Sequence, residues 1–190
     1  MKHAPTAIAC TLAPCILSLA LATAPAQAAD YAQAPGSTLA FGGTFQGEPF
    51  AGRFPDFHST LSFDPANLAQ ARLQVEIELS SATTANADYD TELRGASFLD
   101  SARFPTARYT ATSFRHVGGD RYIAQGMLSL HGVEQPVALE FTWTPGPQPL
   151  LAGKATVRRL AFGIGTGDWA DTSLIPDPIA ISTRVRFNPR

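Results

Sequence analysis

Apolar and polar residues alternate with a period of two over three long stretches of the chain. Leu73, Val75, Ile77 and Leu79 alternate with Arg72, Gln74, Glu76 and Glu78. Val137, Leu139, Phe141 and Trp143 alternate with Ala138, Glu140, Thr142 and Thr144. Near the C-terminus, Ile179, Ile181, Thr183, Val185 and Phe187 alternate with Ala180, Ser182, Arg184 and Arg186. Successive side chains of an extended strand point to opposite faces, so each stretch predicts a strand with one apolar and one polar face. Weaker alternation predicts further strands over 37–45, 57–63, 106–114, 122–130 and 150–160. Gly118-Gly119-Asp120 reads as a tight hairpin turn, and His131 to Pro136 as the connection between the next two strands.

One segment breaks the alternation. Asp88, Asp90 and Glu92 come early and Arg94 late in Asp88–Arg94, the charge order that a short helix favours, with Gly95 placed to cap it. About eight consecutive antiparallel strands linked by hairpins leave edges that need partners, and closing the sheet into a barrel provides them. The pattern thus predicts an all-β antiparallel barrel with one short helix. A barrel of that size is either filled by side chains or holds one small ligand.

Composition narrows the function classes. With 14 Lys+Arg against 16 Asp+Glu there is no basic surplus to neutralise phosphates, which argues against a nucleic-acid partner. Twelve Phe, four Tyr and two Trp supply ample surface to bury, which excludes disorder.

The first 28 residues read as a secretory signal peptide. Lys2 gives a positive start, residues 7–24 are apolar or small, and Ala26-Gln27-Ala28 has the small-x-small form of a cleavage site. A membrane anchor is disfavoured by Pro14, by the Ala/Thr content and by the lack of a basic stop-transfer flank. A lipoprotein signal at Cys15 is disfavoured by Pro14 directly before it. Both cysteines, Cys10 and Cys15, fall in this segment. The expected mature domain, residues 29–190, therefore has no disulfide and no transmembrane segment, and must be held by its core.

Four stretches resemble the YceI-like family of periplasmic lipid-binding proteins. They are Gly52-Arg53-Phe54-Pro55-Asp56-Phe57 through Phe63-Asp64-Pro65, Asp90 to Asp100 followed by Arg103-Phe104-Pro105, Gly126 to Val133 followed by Gln135-Pro136-Val137, and Arg159 to Gly165. Ser97, Ala161 and Tyr89 depart from residues usual in that family. Gln46 to Phe50 and Gly167 to Asp171 resemble a subgroup found alongside b561-type membrane cytochromes. The resemblance implies a lipocalin-like barrel with an elongated apolar interior, holding a polyisoprenoid or an isoprenoid quinone. On that reading Leu73, Val75, Ile77, Leu139, Phe141 and Trp143 are candidates for the apolar lining. Phe162 and Trp169 stand near one end, and Arg94 is a candidate head-group contact unless it pairs with Asp90 or Asp100.

Catalytic and metal motifs are weak by comparison. His58, His116 and His131 are unpaired in sequence, which points to structural or surface roles and to no metal site. No Gly-x-Ser-x-Gly elbow or Ser-x-x-Lys pair is present. Asp88-Asp90-Glu92 starts like a calcium loop, but Leu93 occupies the position where glycine is needed. Gly163-Ile164-Gly165-Thr166-Gly167 is followed by loop residues rather than a helix, so it reads as a bend and not as a phosphate loop. The expectation is a periplasmic binding or carrier protein that needs no cofactor. The alternatives are an accessory protein docking on a membrane cytochrome through the Trp169 loop, and, last, an enzyme acting on the bound lipid.

Overall fold

The computed structural model describes residues 29–190. The expected signal peptide and both cysteines lie outside the described residues. Ten antiparallel strands carry the fold: β1 (Ala29–Gln33), β2 (Thr38–Phe45), β3 (Glu48–Arg53), β4 (Phe57–Phe63), β5 (Arg72–Glu78), β6 (Thr106–Gly118), β7 (Arg121–Leu130), β8 (Val133–Thr144), β9 (Leu150–Arg158) and β10 (Pro178–Pro189). One α-helix, α1 (Ala87–Arg94), interrupts them.

The strands β1-β4-β5-β6-β7-β8-β9-β10 form a ring that closes through pairing of β10 with β1. The β2–β3 hairpin lies outside this eight-stranded ring. The C-terminal part of β10 pairs with β1, where Gln33 faces Phe187, while residues 180–184 pair with β2. β1 and β2 therefore follow one another along the same edge of β10. β3 carries the wall onward, and paired bonds between the Arg53 and Thr83 backbones fasten it near α1.

The alternating stretches form strands because each buries its apolar face inside the ring. Two strands had no such signal. β1 carries a single large apolar residue, Tyr31, and β3 contains Pro49 and Gly52. β2 and β3 are joined by Gln46-Gly47, both with positive φ, as a two-residue primed turn requires. His131 and Gly132 form a second such turn, so the expected connection through Pro136 shrinks to two residues and β8 begins at Val133. Pro136 is accommodated because β9 pairs with β8 only from Glu140 onward, leaving the edge beside Pro136 without a ladder partner.

Helix α1 is capped by Asn86, whose side chain accepts from the Asp88 and Tyr89 amides. At its other end Gly95 has φ −71°, so it ends the helix without the left-handed conformation expected of a glycine cap. Asp90 does more than favour the helix N-terminus. Its carboxylate is buried and accepts hydrogen bonds from the Thr83 hydroxyl at 2.6 Å and from the Thr84 amide and hydroxyl. These bonds, led by the one from Thr83, hold the Asp90 carboxyl below its ordinary value despite burial.

The barrel interior has two zones. At the end where β1 meets β10, Phe63 makes edge contacts with Tyr122, Phe141 and Trp143 at centroid distances of 5.2, 5.8 and 5.1 Å. Tyr122 stacks on Phe141, and Phe187 with Tyr31 adjoins Trp143. This aromatic cluster makes a solid floor. Toward α1 the interior is lined mainly by aliphatic side chains, with several phenylalanines and Tyr109 among them, and is not filled.

Candidate ligand cavity

Above the aromatic floor lies an apolar cavity of about 220 Å³. The ring strands β4 to β10 contribute side chains to it, and β2 and β3 add Leu39, Phe41 and Phe50. Along β10 the lining runs from Ile179 to Phe187 on alternate residues. Eight residue steps at about 3.3 Å each make that wall roughly 26 Å long. The mouth lies at the α1 end, where the half-buried Phe50, Phe54, Leu93 and Phe98 form the rim.

Glycines set the shape of the walls. A Cβ on Gly126 would fall 2.5 Å from the Tyr109 ring, and one on Gly52 would fall 2.2 Å from the ring of Phe41. Both rings thus occupy the space that a side chain at the glycine would need. Tyr109 donates to the Ala124 and Val137 carbonyls, 3.2 and 3.1 Å away, and burial pushes its phenol well above the ordinary value.

Among the described residues the polar side chains on the lining are those of Ser59, Tyr109, Arg159 and Thr183. Arg159 is 2% exposed. Its guanidinium donates to the carbonyls of Ile164, Gly165, Ile175 and Pro176 at 3.0, 3.1, 2.7 and 3.3 Å. One side chain thereby ties the 163–167 bend to the segment leading into β10. Burial lowers its proton affinity, and nearby Asp177 opposes that. Gly163, Gly165 and Gly167 all have positive φ, so the Gly-rich segment is a bend wrapped on Arg159. A Cβ on Gly165 would fall 2.4 Å from the Arg159 guanidinium.

Of the residues proposed from sequence, Leu73, Val75, Ile77 and Leu139 line the cavity. Phe141 and Trp143 lie in the aromatic floor instead. Phe162 is buried beside the mouth bend, where the His131 imidazole meets its carbonyl at 3.0 Å, and does not reach the lining. Trp169 packs outside the rim, 5.3 Å from Phe98 and 6.1 Å from Phe45. Arg94 does not face the cavity and makes no salt bridge to Asp90 or Asp100. It donates to the backbone carbonyls of Asp90 and Ser80, fixing α1 to the turn that follows β5.

Sequence reasoning missed Ser59 and Arg159, although period two contained both. Ser59 sits between Phe57 and Leu61 on the inward face of β4, and Arg159 follows Leu151, Gly153 and Val157 in the inward register of β9. His58 lies on the outer face of β4. Among the described residues no three His, Cys, Asp or Glu side chains stand together as a metal site would require.

The YceI-like domain profile matches residues 32–187. The chain belongs to the YceI-like family. Protein YceI of Escherichia coli O17:K52:H18 is 43% identical over 89 residues, covering 47% of this chain and 46% of that protein. Protein YceI of Salmonella arizonae is 42% identical over the same length and shares of each chain. The chain spans about half the length of the curated relatives it matches.

Several solved structures share the fold. Burkholderia cenocepacia BcnA superposes with a TM-score of 0.76 at 27% identity, covering 79% of this chain and 95% of that one. A polyisoprenoid binding domain from Saccharophagus degradans superposes at 0.66 with 15% identity, covering 86% and 99%. The Campylobacter jejuni YceI protein superposes at 0.64 with 20% identity, covering 73% and 84%.

Proposed function

We propose that this protein binds one elongated apolar lipid, a polyisoprenoid or an isoprenoid quinone, inside the barrel and carries it through the periplasm. The observation that supports this most is the long aliphatic wall of the cavity, with a closed aromatic floor and a mouth beside α1. Each CH₂ moved from water into such a channel contributes about 0.8 kcal/mol, so about ten carbons supply roughly 8 kcal/mol before the entropy of ordering the chain is subtracted. The name of the Saccharophagus degradans domain points to the same ligand class. The periplasmic location is supported by the signal read over residues 1–28.

Binding without chemistry is the reading the lining favours. Among the described residues no carboxylate, imidazole or thiol lines the cavity, and the Tyr109 phenol and Arg159 guanidinium that do are bonded to backbone carbonyls. The test is a fluorescence titration with an isoprenoid quinone on a Trp169→Phe background, which leaves Trp143 in the floor as the reporter. The expected result is saturable quenching at one site, weakened about ten-fold in Val75→Phe, which narrows the channel. Quenching that is unsaturable, or unchanged in that variant, contradicts the reading.

A further inference from the structure

Among the described residues Ser59 is the one lining side chain whose polar group is left unpaired. It is 1% exposed, and its hydroxyl has no hydrogen-bond partner among the described residues. It stands midway down the cavity. On β4 and β5 the pair Phe57–Ile77 lies nearest the mouth, Ser59–Val75 comes next, Leu61–Leu73 follows, and Phe63 belongs to the aromatic floor. The other polar groups on the lining are engaged: Tyr109 with Ala124 and Val137, Thr183 with Thr38, and Arg159 with four backbone carbonyls.

A buried hydroxyl without a partner is unfavourable, and native interiors contain few of them. A lone water beside Ser59 would be poorly held, because buried waters ordinarily make about three hydrogen bonds to polar groups. A charged head group is poorly served as well. One neutral hydroxyl among aliphatic walls does not compensate the desolvation of a phosphate. The group that suits this position is a single uncharged acceptor.

We propose that Ser59 is a polar anchor within the channel, donating a hydrogen bond to an uncharged carbonyl oxygen carried by the apolar ligand. The inference rests on the lipid-binding reading and narrows it. The ligand enters with a neutral oxygen-bearing head leading, and carbonyl-bearing molecules are selected over plain hydrocarbons of the same length.

The experiment compares 2-decyl-1,4-benzoquinone with decylbenzene on wild-type protein and on Ser59→Ala. The expected result is that the quinone-to-hydrocarbon affinity ratio falls about five-fold in the variant, the effect of one hydrogen bond. In infrared difference spectra, one carbonyl band of the bound quinone is lowered in wild type and returns toward its free position in the variant. If both probes bind wild type and neither the ratio nor the band responds, the anchor is wrong and the carrier reading stands. If neither probe binds wild type, both fall. The ligand-free proteins give an independent readout. Removing an unpaired hydroxyl is expected to raise the Tm, and a lower Tm in Ser59→Ala would show that the protein itself uses the hydroxyl, which overturns the proposal.

Discussion

Gly126 and Tyr109 show how single residues shape the interior. The Tyr109 ring occupies the space that a Cβ on Gly126 would need, and its hydroxyl reaches two backbone carbonyls across β7 and β8. Gly126→Val is therefore expected to destabilise the fold by about 1–3 kcal/mol through overpacking, measured by urea unfolding. An unchanged midpoint would contradict the packing described. Asp90 acts through charge. Its folded pKa lies below the unfolded value of 3.8, so its stabilisation is present above about pH 4 and is lost as pH falls through the folded value. Asp90→Asn is expected to lower stability at pH 7 by about 2 kcal/mol, given several hydrogen bonds to a charged acceptor. The gap to wild type should close as the pH drops below 4, and thermal melts across pH 2–7 measure it. A gap that does not change with pH would show that the charge is not what the threonines recognise.

At the scale of elements, the mouth of the barrel is held by a side chain rather than by a strand. Arg159 gathers four carbonyls from the bend and from the segment before β10, so its replacement leaves that backbone unpaired. Arg159→Met, of similar length and apolar, is expected to speed amide hydrogen exchange ten-fold or more at Ile164 and Gly165. The exchange of β6 and β7 amides should be preserved. Equal acceleration everywhere would mean a global loss of stability rather than a loosened mouth. The strands themselves were legible from period two because one face meets the core and the other meets water, as on β5, β8 and β10. β1 and β3 were not, since Ala29, Ala32, Pro49 and Gly52 carry no alternation and their pairing is imposed by β4, β10 and β2. The Gln46-Gly47 turn escaped for a related reason: its first positive φ sits on a glutamine, where asparagine or aspartate gives the usual signal.

At the scale of the whole molecule, the barrel divides into an aromatic floor and an apolar channel, and the proposed lipid binding rests on that division. Period two placed Leu73, Phe141 and Trp143 alike on the inner face, but it says nothing about depth along the barrel. Depth separates them: Leu73 faces the channel, whereas Phe141 and Trp143 close its end. The same blindness hid Arg159 and Ser59, polar residues that alternation puts inside without saying what they meet. Among the described residues no helix is long and apolar enough to cross a membrane. The channel is an enclosed apolar surface that a lipid chain can occupy, and its occupancy decides the function. Native mass spectrometry of the protein purified without detergent from the cells that make it measures that occupancy directly. The expected spectrum shows the chain with one bound apolar lipid, released by organic extraction and recovered as a single isoprenoid species; a spectrum of the bare chain, with no stoichiometric lipid in the extract, would contradict it.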